Sequence, residues 1–253
     1  MSAQPASFNR GVVRPVECIK AGFASIKDDY WLFLGLSIVA ILIGSVGPMG
    51  ILLGPMMCGL HMCLLRRQRG EKVGFDVLFK GFDFFGPSLV ATLIQIVPMI
   101  ILIVPIYLVF IFFFIGLFGF AGAVSGEAPP EAGLILPIVM IVVFLLVLAI
   151  MAVSMIFLFT YQLIVDRRLG GWDSVVLSAK AVMGNLGGVF GLVLLNMLMS
   201  FGGLLLCYVG AFLVMPIGFA AIDQAYRQIF PDLPMAQVQA PPQYSPQQHP
   251  WMG

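Results

Sequence analysis

Four long stretches that contain no Asp, Glu, Lys or Arg constrain this chain more than any other feature. They cover residues 30–65, 84–126, 132–165 and 181–222, more than half of the 253 residues. A helix needs about 20 apolar residues to cross the hydrocarbon core of a bilayer, and each stretch is longer than that. Membrane barrels instead show alternating segments of about 10 residues. The sequence therefore predicts an all-α, polytopic transmembrane helical bundle.

The composition excludes two classes of protein. Only 10% of the residues are charged and 60% are hydrophobic, whereas a soluble domain has about 25% charged residues. A disordered chain needs low hydrophobicity and a high net charge, and here the net charge is +1. Because the chain has no overall basic balance, we expect no nucleic-acid partner.

Breaker residues divide two of the four stretches into two helices each. Gly47-Pro48-Met49-Gly50 separates a predicted helix at 30–47 from one at 50–65. Glycines near residue 202 separate predicted helices at 185–204 and 206–222.

The two middle stretches are harder to divide. The segment 138–165 contains neither Gly nor Pro, so it is predicted to be one long, tilted helix. The stretch 84–126 fits either two helices or one helix kinked at Pro98 and Pro105.

The positive-inside rule decides between these alternatives. With one helix in each middle stretch, the chain has six spans arranged as three hairpins, and all 13 Lys and Arg residues lie on the cytoplasmic side. The loop 125–131 then faces out and contains no cation. We therefore expect a multi-pass protein of the cell inner membrane with both termini in the cytoplasm.

Three segments with apolar residues on one helical face precede the three hairpins. They lie at 12–27, 73–85 and 172–183, and each pairs an acid with a base on the opposite face. Short basic helices of this kind lie in the interface plane of a membrane, so each hairpin is predicted to follow an interfacial amphipathic helix. The predicted regions are a disordered N-terminus at 1–11, a six-helix transmembrane domain at 12–230 and a disordered Pro/Gln-rich cytoplasmic tail at 231–253.

The junctions between these units resemble a known group of proteins. Two sets of residues carry the resemblance. The first is Gly54-Pro55-Met56-Met57-Cys58-Gly59-Leu60 with Arg67-Gln68-Arg69-Gly70-Glu71-Lys72 and Leu78-Phe79-Lys80-Gly81-Phe82. The second is Val165-Asp166-Arg167-Arg168 with Trp172-Asp173-Ser174-Val175, Ser178 and Gly184-Asn185. This pattern is similar to uncharacterised bacterial six-span membrane proteins related to the membrane domain found beside glycerophosphodiester phosphodiesterases. The resemblance covers about residues 10–230 and implies a bacterial inner-membrane protein. It carries over no catalytic residues, and the chain contains no phosphodiesterase domain.

Two charged clusters are candidate sites on the cytoplasmic side. The first is a juxtamembrane basic cluster that can contact lipid headgroups or simply fix the topology, formed by Arg66, Arg67, Arg69 and Lys72. The second can form a site or a salt-bridged loop, and contains Asp166, Arg167, Arg168 and Asp173. An enzyme would require Asp166, Arg167 and Asp173 to converge on one pocket.

Polar residues inside the predicted spans are the third candidate. Gln95, Gln162 and Asn196 can line a polar path, or they can form hydrogen bonds between helices. Within the predicted spans, His61 is the ionisable residue other than cysteine and tyrosine, and no span contains Asp or Glu. Proton-coupled carriers usually need an intramembrane carboxylate, so this pattern favours a protein that is not a secondary transporter.

Soft-ligand residues are concentrated at 56–63, but their spacing does not favour a metal or haem site. At about 100° per residue, Cys58, His61 and Cys63 point in different helical directions. We expect no metal, no cofactor and no enzyme activity, because nucleophile-elbow and phosphate-loop motifs are absent from the sequence.

These observations favour a non-enzymatic membrane protein with a structural, assembly or regulatory role. The alternative is a small oligomeric transporter or channel for a small molecule or lipid. The expected partners are the lipid bilayer and either a second copy of the chain or another membrane protein. Overlapping Gly-xxx-Gly pairs at 184/188 and 187/191 can serve an oligomer interface or internal packing.

Overall fold

The computed structural model describes residues 8–46, 50–123, 132–205 and 209–231, and its regular structure there is entirely helical. The chain forms ten α-helices in these ranges: α1 (Pro15–Ile26), α2 (Tyr30–Val46), α3 (Leu53–Gln68), α4 (Phe75–Phe79), α5 (Phe85–Ala123), α6 (Ala132–Ile156), α7 (Thr160–Arg167), α8 (Gly171–Gly184), α9 (Leu186–Leu205) and α10 (Val209–Ile229). Short 3-10 turns at Lys27–Asp29 and Lys80–Phe84 lead into α2 and α5.

Five segments of the described chain are long and apolar enough to cross a membrane, which is typical of a multi-pass membrane protein. They are Pro15–Val46, Phe75–Phe112, Pro137–Arg167, Leu186–Leu205 and Val209–Ile229. The predicted span at 50–65 corresponds to α3, which has 16 residues. Its length of about 24 Å is less than the hydrocarbon thickness of about 30 Å.

The prediction of a single helix over 84–126 is confirmed for the described residues. α5 runs without interruption from Phe85 to Ala123, with Pro98 and Pro105 inside it. A tertiary environment that re-satisfies the freed carbonyls allows proline inside a membrane helix.

The prediction of one unbroken helix over 138–165 is wrong. α6 ends at Ile156, and a turn at 157–159 precedes α7. Ser178 on α8 bridges the break, since its hydroxyl donates to the Ile156 carbonyl at 2.7 Å and accepts the Phe159 N–H at 3.1 Å. A side chain inserted into the hydrogen-bond ladder interrupts a helix without Gly or Pro.

The three predicted amphipathic segments are helical and lead directly into apolar helices. They correspond to α1, to α4 with its following 3-10 turn, and to α8. α1 packs tightly along α10, since a Cβ atom on Gly22 would lie 2.7 Å from the Ala221 backbone nitrogen. Cys18, Gly22 and Ile26 are buried on this face, so α1 is part of the packed body as well as amphipathic.

The segment before α1 is held by Asn185, which precedes α9, and by the end of α10. The Asn185 amide donates to the Asn9 carbonyl at 2.9 Å, and its oxygen accepts the Val12 N–H at 3.1 Å. The Asn9 N–H donates to the Ile229 carbonyl at 2.9 Å. Residues 8–11, which belong to the predicted disordered N-terminus, therefore make specific contacts, while residues 1–7 and 232–253 lie outside the described part of the chain.

Charged helix ends meet on one face of the molecule. The end of α3 contacts the start of α2, where Arg67 Nη2 lies 2.8 Å from Asp29 Oδ2. The end of α3 also contacts the end of α7 through Arg69 and Asp166. We call this region the charged face; the end of α10 joins it through Tyr226, whose hydroxyl donates to Asp166 at 2.8 Å.

Candidate functional site

Three polar side chains meet in the interior, one turn or more below the charged face. His61 on α3 places Nδ1 2.9 Å from Asp223 Oδ1 on α10. Gln162 on α7 donates from Nε2 to the same carboxylate oxygen, also at 2.9 Å. The Asp223 side chain is 0% exposed and the His61 side chain 6% exposed. We call this group the buried triplet, and it links three helices that are distant in sequence.

The position of Asp223 corrects the sequence interpretation. The charge-free stretch stops at 222 and the last span was predicted to end there, so no carboxylate was expected inside a span. α10 instead continues to Ile229 and carries Asp223 into the core. The signal was present in the sequence, because buried positions 216, 220, 223 and 226 follow helical spacing past the end of the apolar run.

A second polar layer lies one helical turn further out on two of the same helices. Asp166 follows Gln162 by four residues on α7, and Tyr226 follows Asp223 by three on α10. Asp166 Oδ1 accepts from Arg69 Nη2 at 2.7 Å, and its Oδ2 accepts from the Tyr226 hydroxyl at 2.8 Å. Helical i,i+3 and i,i+4 spacing therefore stacks this outer layer above the buried triplet.

Above the outer layer lies a cavity of about 490 Å³. It is formed where α3 and α7 end and where the 3-10 turn before α5 lies. Four cations and two carboxylates line it together with an apolar wall: Arg66, Arg69, Lys80 and Arg168; Asp83 and Asp166; Met62, Leu65, Phe84 and Val165. We call it the charged-face cavity.

Arg168 reaches this cavity from a left-handed backbone conformation. Its φ is 50° and its ψ 37° at the C-terminal cap of α7. Glycine normally takes this position at a helix end, and a residue with a Cβ atom costs roughly 1–2 kcal/mol more there. Within the described residues, Arg168 is the one non-glycine with positive φ.

The cavity unites members of both predicted charged clusters and leaves others out. From the predicted lipid-contact set, Arg66 and Arg69 line it. Arg67 is instead paired with Asp29 and donates to the Ser25 carbonyl at 3.3 Å. Lys72 is exposed in the loop after α3 and is not part of the lining.

The second cluster divides in the same way. Asp166 and Arg168 line the cavity. The Arg167 guanidinium instead lies 5.7 Å from the centre of the Phe230 ring and donates to the Pro231 carbonyl at 3.4 Å. Asp173 is exposed at the start of α8 and does not line the cavity. The convergence of Asp166, Arg167 and Asp173 that an enzyme would require is not found in this cavity.

The predicted polar-path residues have separate surroundings. Gln95 accepts from the Tyr161 hydroxyl at 3.2 Å, while Gln162 belongs to the buried triplet. Asn196 on α9 turns its Oδ1 toward α10, where a Cβ atom on Gly218 would lie 3.1 Å away. Gln95 therefore faces α7, whereas Gln162 and Asn196 both face α10, at Asp223 and Gly218. These contacts do not connect the three side chains to one another.

The cysteines near His61 also point apart. Cys58 packs with Ala91 and Phe157, and Cys63 packs in a different cluster with Ile26 and Phe33. Among the described residues, no group of three or more His, Cys, Asp or Glu side chains is close enough to hold a metal ion.

Two glycines of the predicted Gly-xxx-Gly pairs on α9 lie close to the segment around the start of α1. A Cβ atom on Gly188 would lie 2.5 Å from the Val13 carbonyl oxygen, and one on Gly191 would lie 3.0 Å from the Pro15 ring. A Cβ atom on Gly187 would meet no atom within 4 Å.

The chain matches no family model, no curated protein and no solved structure. Geometry and charge are therefore what indicate its function.

Proposed function

We propose that the chain is a six-span protein of the cell inner membrane with both termini in the cytoplasm, and a relative of the bacterial group that its junctions resemble. Contacts at the charged face support this topology. Arg67 and Asp29 join the end of α3 to the start of α2, and Asn185 joins the start of α9 through Asn9 to the end of α10. Helix pairs that leave and return to one basic face fit the positive-inside rule, with α3 short enough to require local thinning of the bilayer.

Cysteine labelling tests this topology. The described native cysteines Cys18, Cys58 and Cys63 are buried, and Cys207 is replaced by alanine to remove its background. An impermeant maleimide added to intact cells should label Met49→Cys and Ser125→Cys, and should label Lys72→Cys only after lysis. Labelling of Lys72→Cys on intact cells would show that the orientation is the reverse of the proposed one. Protection of Met49→Cys from both sides of the membrane would contradict the first proposed hairpin.

Within that topology, the function supported best is a non-enzymatic structural, assembly or regulatory role. The observation that carries this proposal is the pairing of intramembrane polar groups between helices. Gln162 is bound to Asp223, and Gln95 to Tyr161. Hydrogen bonds of this kind cross-link the helices of a bundle, although Gln162 Oε1 and Asp223 Oδ2 have no hydrogen-bond partner among the described residues.

Purification tests this role. The full chain is extracted from native membranes in two mild detergents, and the bound molecules are identified by mass spectrometry. A protein partner at fixed stoichiometry in both detergents, which also retains this chain when the partner is tagged, is the expected result. A homo-oligomer without any protein partner in either detergent would contradict the assembly role.

The buried triplet favours one other function, a proton-coupled transporter. An ionisable pair inside a candidate span is a functional-site hypothesis by default, and Asp223 supplies the carboxylate that the sequence interpretation lacked. The full chain reconstituted in liposomes with a trapped pH-sensitive dye tests this directly. Proton entry under a potassium-diffusion potential that disappears in Asp223→Asn would support transport, and a signal equal to that of empty liposomes would reject it.

A further inference from the structure

The charged-face cavity has an excess of positive charge. Four cationic side chains line it against two carboxylates. One of the two, Asp166, already accepts from Arg69 and Tyr226 on its two oxygens. Arg66 Nε lies 3.9 Å from Oε2 of Glu71, a carboxylate outside the lining, and Asp83 is the second carboxylate within it. The lining itself holds more cations than carboxylates, so it attracts an anion.

The lining also contains the kinds of donor that bind phosphate esters. Arginine presents a planar fork of N–H donors that matches phosphate oxygens, and lysine adds a compact charge. Asp166 holds Arg69 from one side with a 2.7 Å hydrogen bond, which fixes the direction of its guanidinium. Arg168 is brought to the same cavity by a strained left-handed backbone, at a position where glycine would end the helix without strain.

The apolar wall indicates that the anion carries hydrocarbon. Met62, Leu65, Phe84 and Val165 line the same cavity as the cations. A volume of about 490 Å³ is within the range of small-molecule sites. The cavity lies at the ends of candidate spans, the level at which headgroups and the first carbons of acyl chains meet protein.

We propose that the charged-face cavity binds the phosphate of an anionic phospholipid headgroup, with Arg66, Arg69, Lys80 and Arg168 as the phosphate contacts. This site is independent of the assembly role above, since a scaffold, a regulator and a transporter can each hold a lipid. Arg67 and Lys72, which lie in the same basic segment, have no part in it.

Two lysines provide a matched test. Lys80 lines the cavity and Lys72 does not, and both are exposed and belong to the segment that joins α3 to α5. Lys80→Gln and Lys72→Gln therefore each remove one positive charge from the same connecting segment, the first inside the cavity and the second outside it. Arg168→Gly removes a second cavity cation while placing glycine where the backbone is left-handed, so this variant should fold at least as well as the parent chain.

The measurement is calorimetric titration of the full chain, delipidated in an uncharged detergent at about 0.1 M salt. The probes are dihexanoyl phosphatidylglycerol, dihexanoyl phosphatidylcholine as the zwitterionic control, and inorganic phosphate. We expect Lys80→Gln and Arg168→Gly each to weaken phosphatidylglycerol binding about fivefold. Lys72→Gln should bind as the parent does, and phosphatidylcholine should bind weakly to all variants.

Two results would overturn the proposal. Equal phosphatidylglycerol affinity in the parent, Lys80→Gln and Arg168→Gly would show that the cavity does not hold the lipid. Inorganic phosphate that binds as tightly as phosphatidylglycerol, with the same dependence on Lys80, would assign the site to free phosphate and reject the lipid. Circular dichroism and the thermal midpoint of each variant confirm that a loss of binding is not a loss of fold.

Discussion

Removing His61 should destabilise the protein more than removing Asp223, although the two side chains form one pair. In His61→Leu, the Asp223 carboxylate stays 0% exposed with Gln162 as its remaining hydrogen-bond donor. A buried carboxylate that loses one of its two hydrogen-bond donors carries a large desolvation penalty. The imidazole and the amide left without their acceptor in Asp223→Ala carry the smaller penalty of unpaired polar groups.

The magnitudes follow from this difference. Leaving a buried carboxylate without its partner costs about 3–5 kcal/mol, which we expect for His61→Leu. Asp223→Ala leaves His61 and the Gln162 amide without their acceptor, at a cost of about 1–3 kcal/mol. The double variant contains no buried charge, so adding Asp223→Ala to His61→Leu should restore about 2 kcal/mol.

Reversible unfolding of the full chain in mixed micelles, followed by circular dichroism, measures these free energies of unfolding. Asp223→Asn is the matched control, since it keeps the volume and one acceptor oxygen while removing the charge. Its loss should be about 1–2 kcal/mol, the range of an interhelical hydrogen bond in a membrane protein. If Asp223→Ala destabilises the His61→Leu variant further, the carboxylate is not held by His61 and the reasoning fails.

Three other perturbations test the packing. Ser178→Ala removes the hydroxyl that hydrogen-bonds the Ile156 carbonyl and the Phe159 N–H at the break between α6 and α7. This variant should lower the free energy of unfolding by about 1–3 kcal/mol. The control is Ser154→Ala, whose hydroxyl bonds within its own exposed helix turn, and it should change the free energy of unfolding by less than about 0.5 kcal/mol. Gly59→Ala forces a Cβ atom into the Leu78 carbonyl, so the peak of folded protein should be lost in gel filtration. In Gly187→Ala the added Cβ atom meets open space, so this variant should stabilise α9 by up to about 1 kcal/mol. Asn185→Ala removes both side-chain contacts to the segment before α1 and should speed tryptic cleavage after Arg10. An unchanged cleavage rate would mean that this segment is held by other contacts.

The apolar helices and their approximate limits could be predicted from the sequence because membrane insertion depends on composition and length. A run without charges must cross or pack within hydrocarbon, whatever its neighbours are. The single helix α5 followed from charge placement alone, despite two internal prolines. The amphipathic helices likewise followed from spacing, which is a property of each segment by itself.

The parts of the candidate site could be identified only as separate residues. Arg66, Arg69, Asp166 and Arg168 were singled out in two different clusters, and the sequence could not show that one cavity joins them. Lys80 was interpreted as a base on the polar face of an amphipathic segment and was not assigned to a site, and Asp83 was not singled out at all. Asp223 was missed because a charge just beyond an apolar run was assigned to the helix end.

What the sequence determined by itself is the membrane-embedded, all-helical character of the chain, since hydrophobic length and helical period are local quantities. What only the tertiary structure decided is where polar groups find partners. Ser178 bridges a break in a segment that contains neither Gly nor Pro, and Asp223 is placed against His61 from a helix 162 residues away. An unpaired buried polar group is costly, and whether it is paired depends on which helices pack together, a relation that no single segment contains.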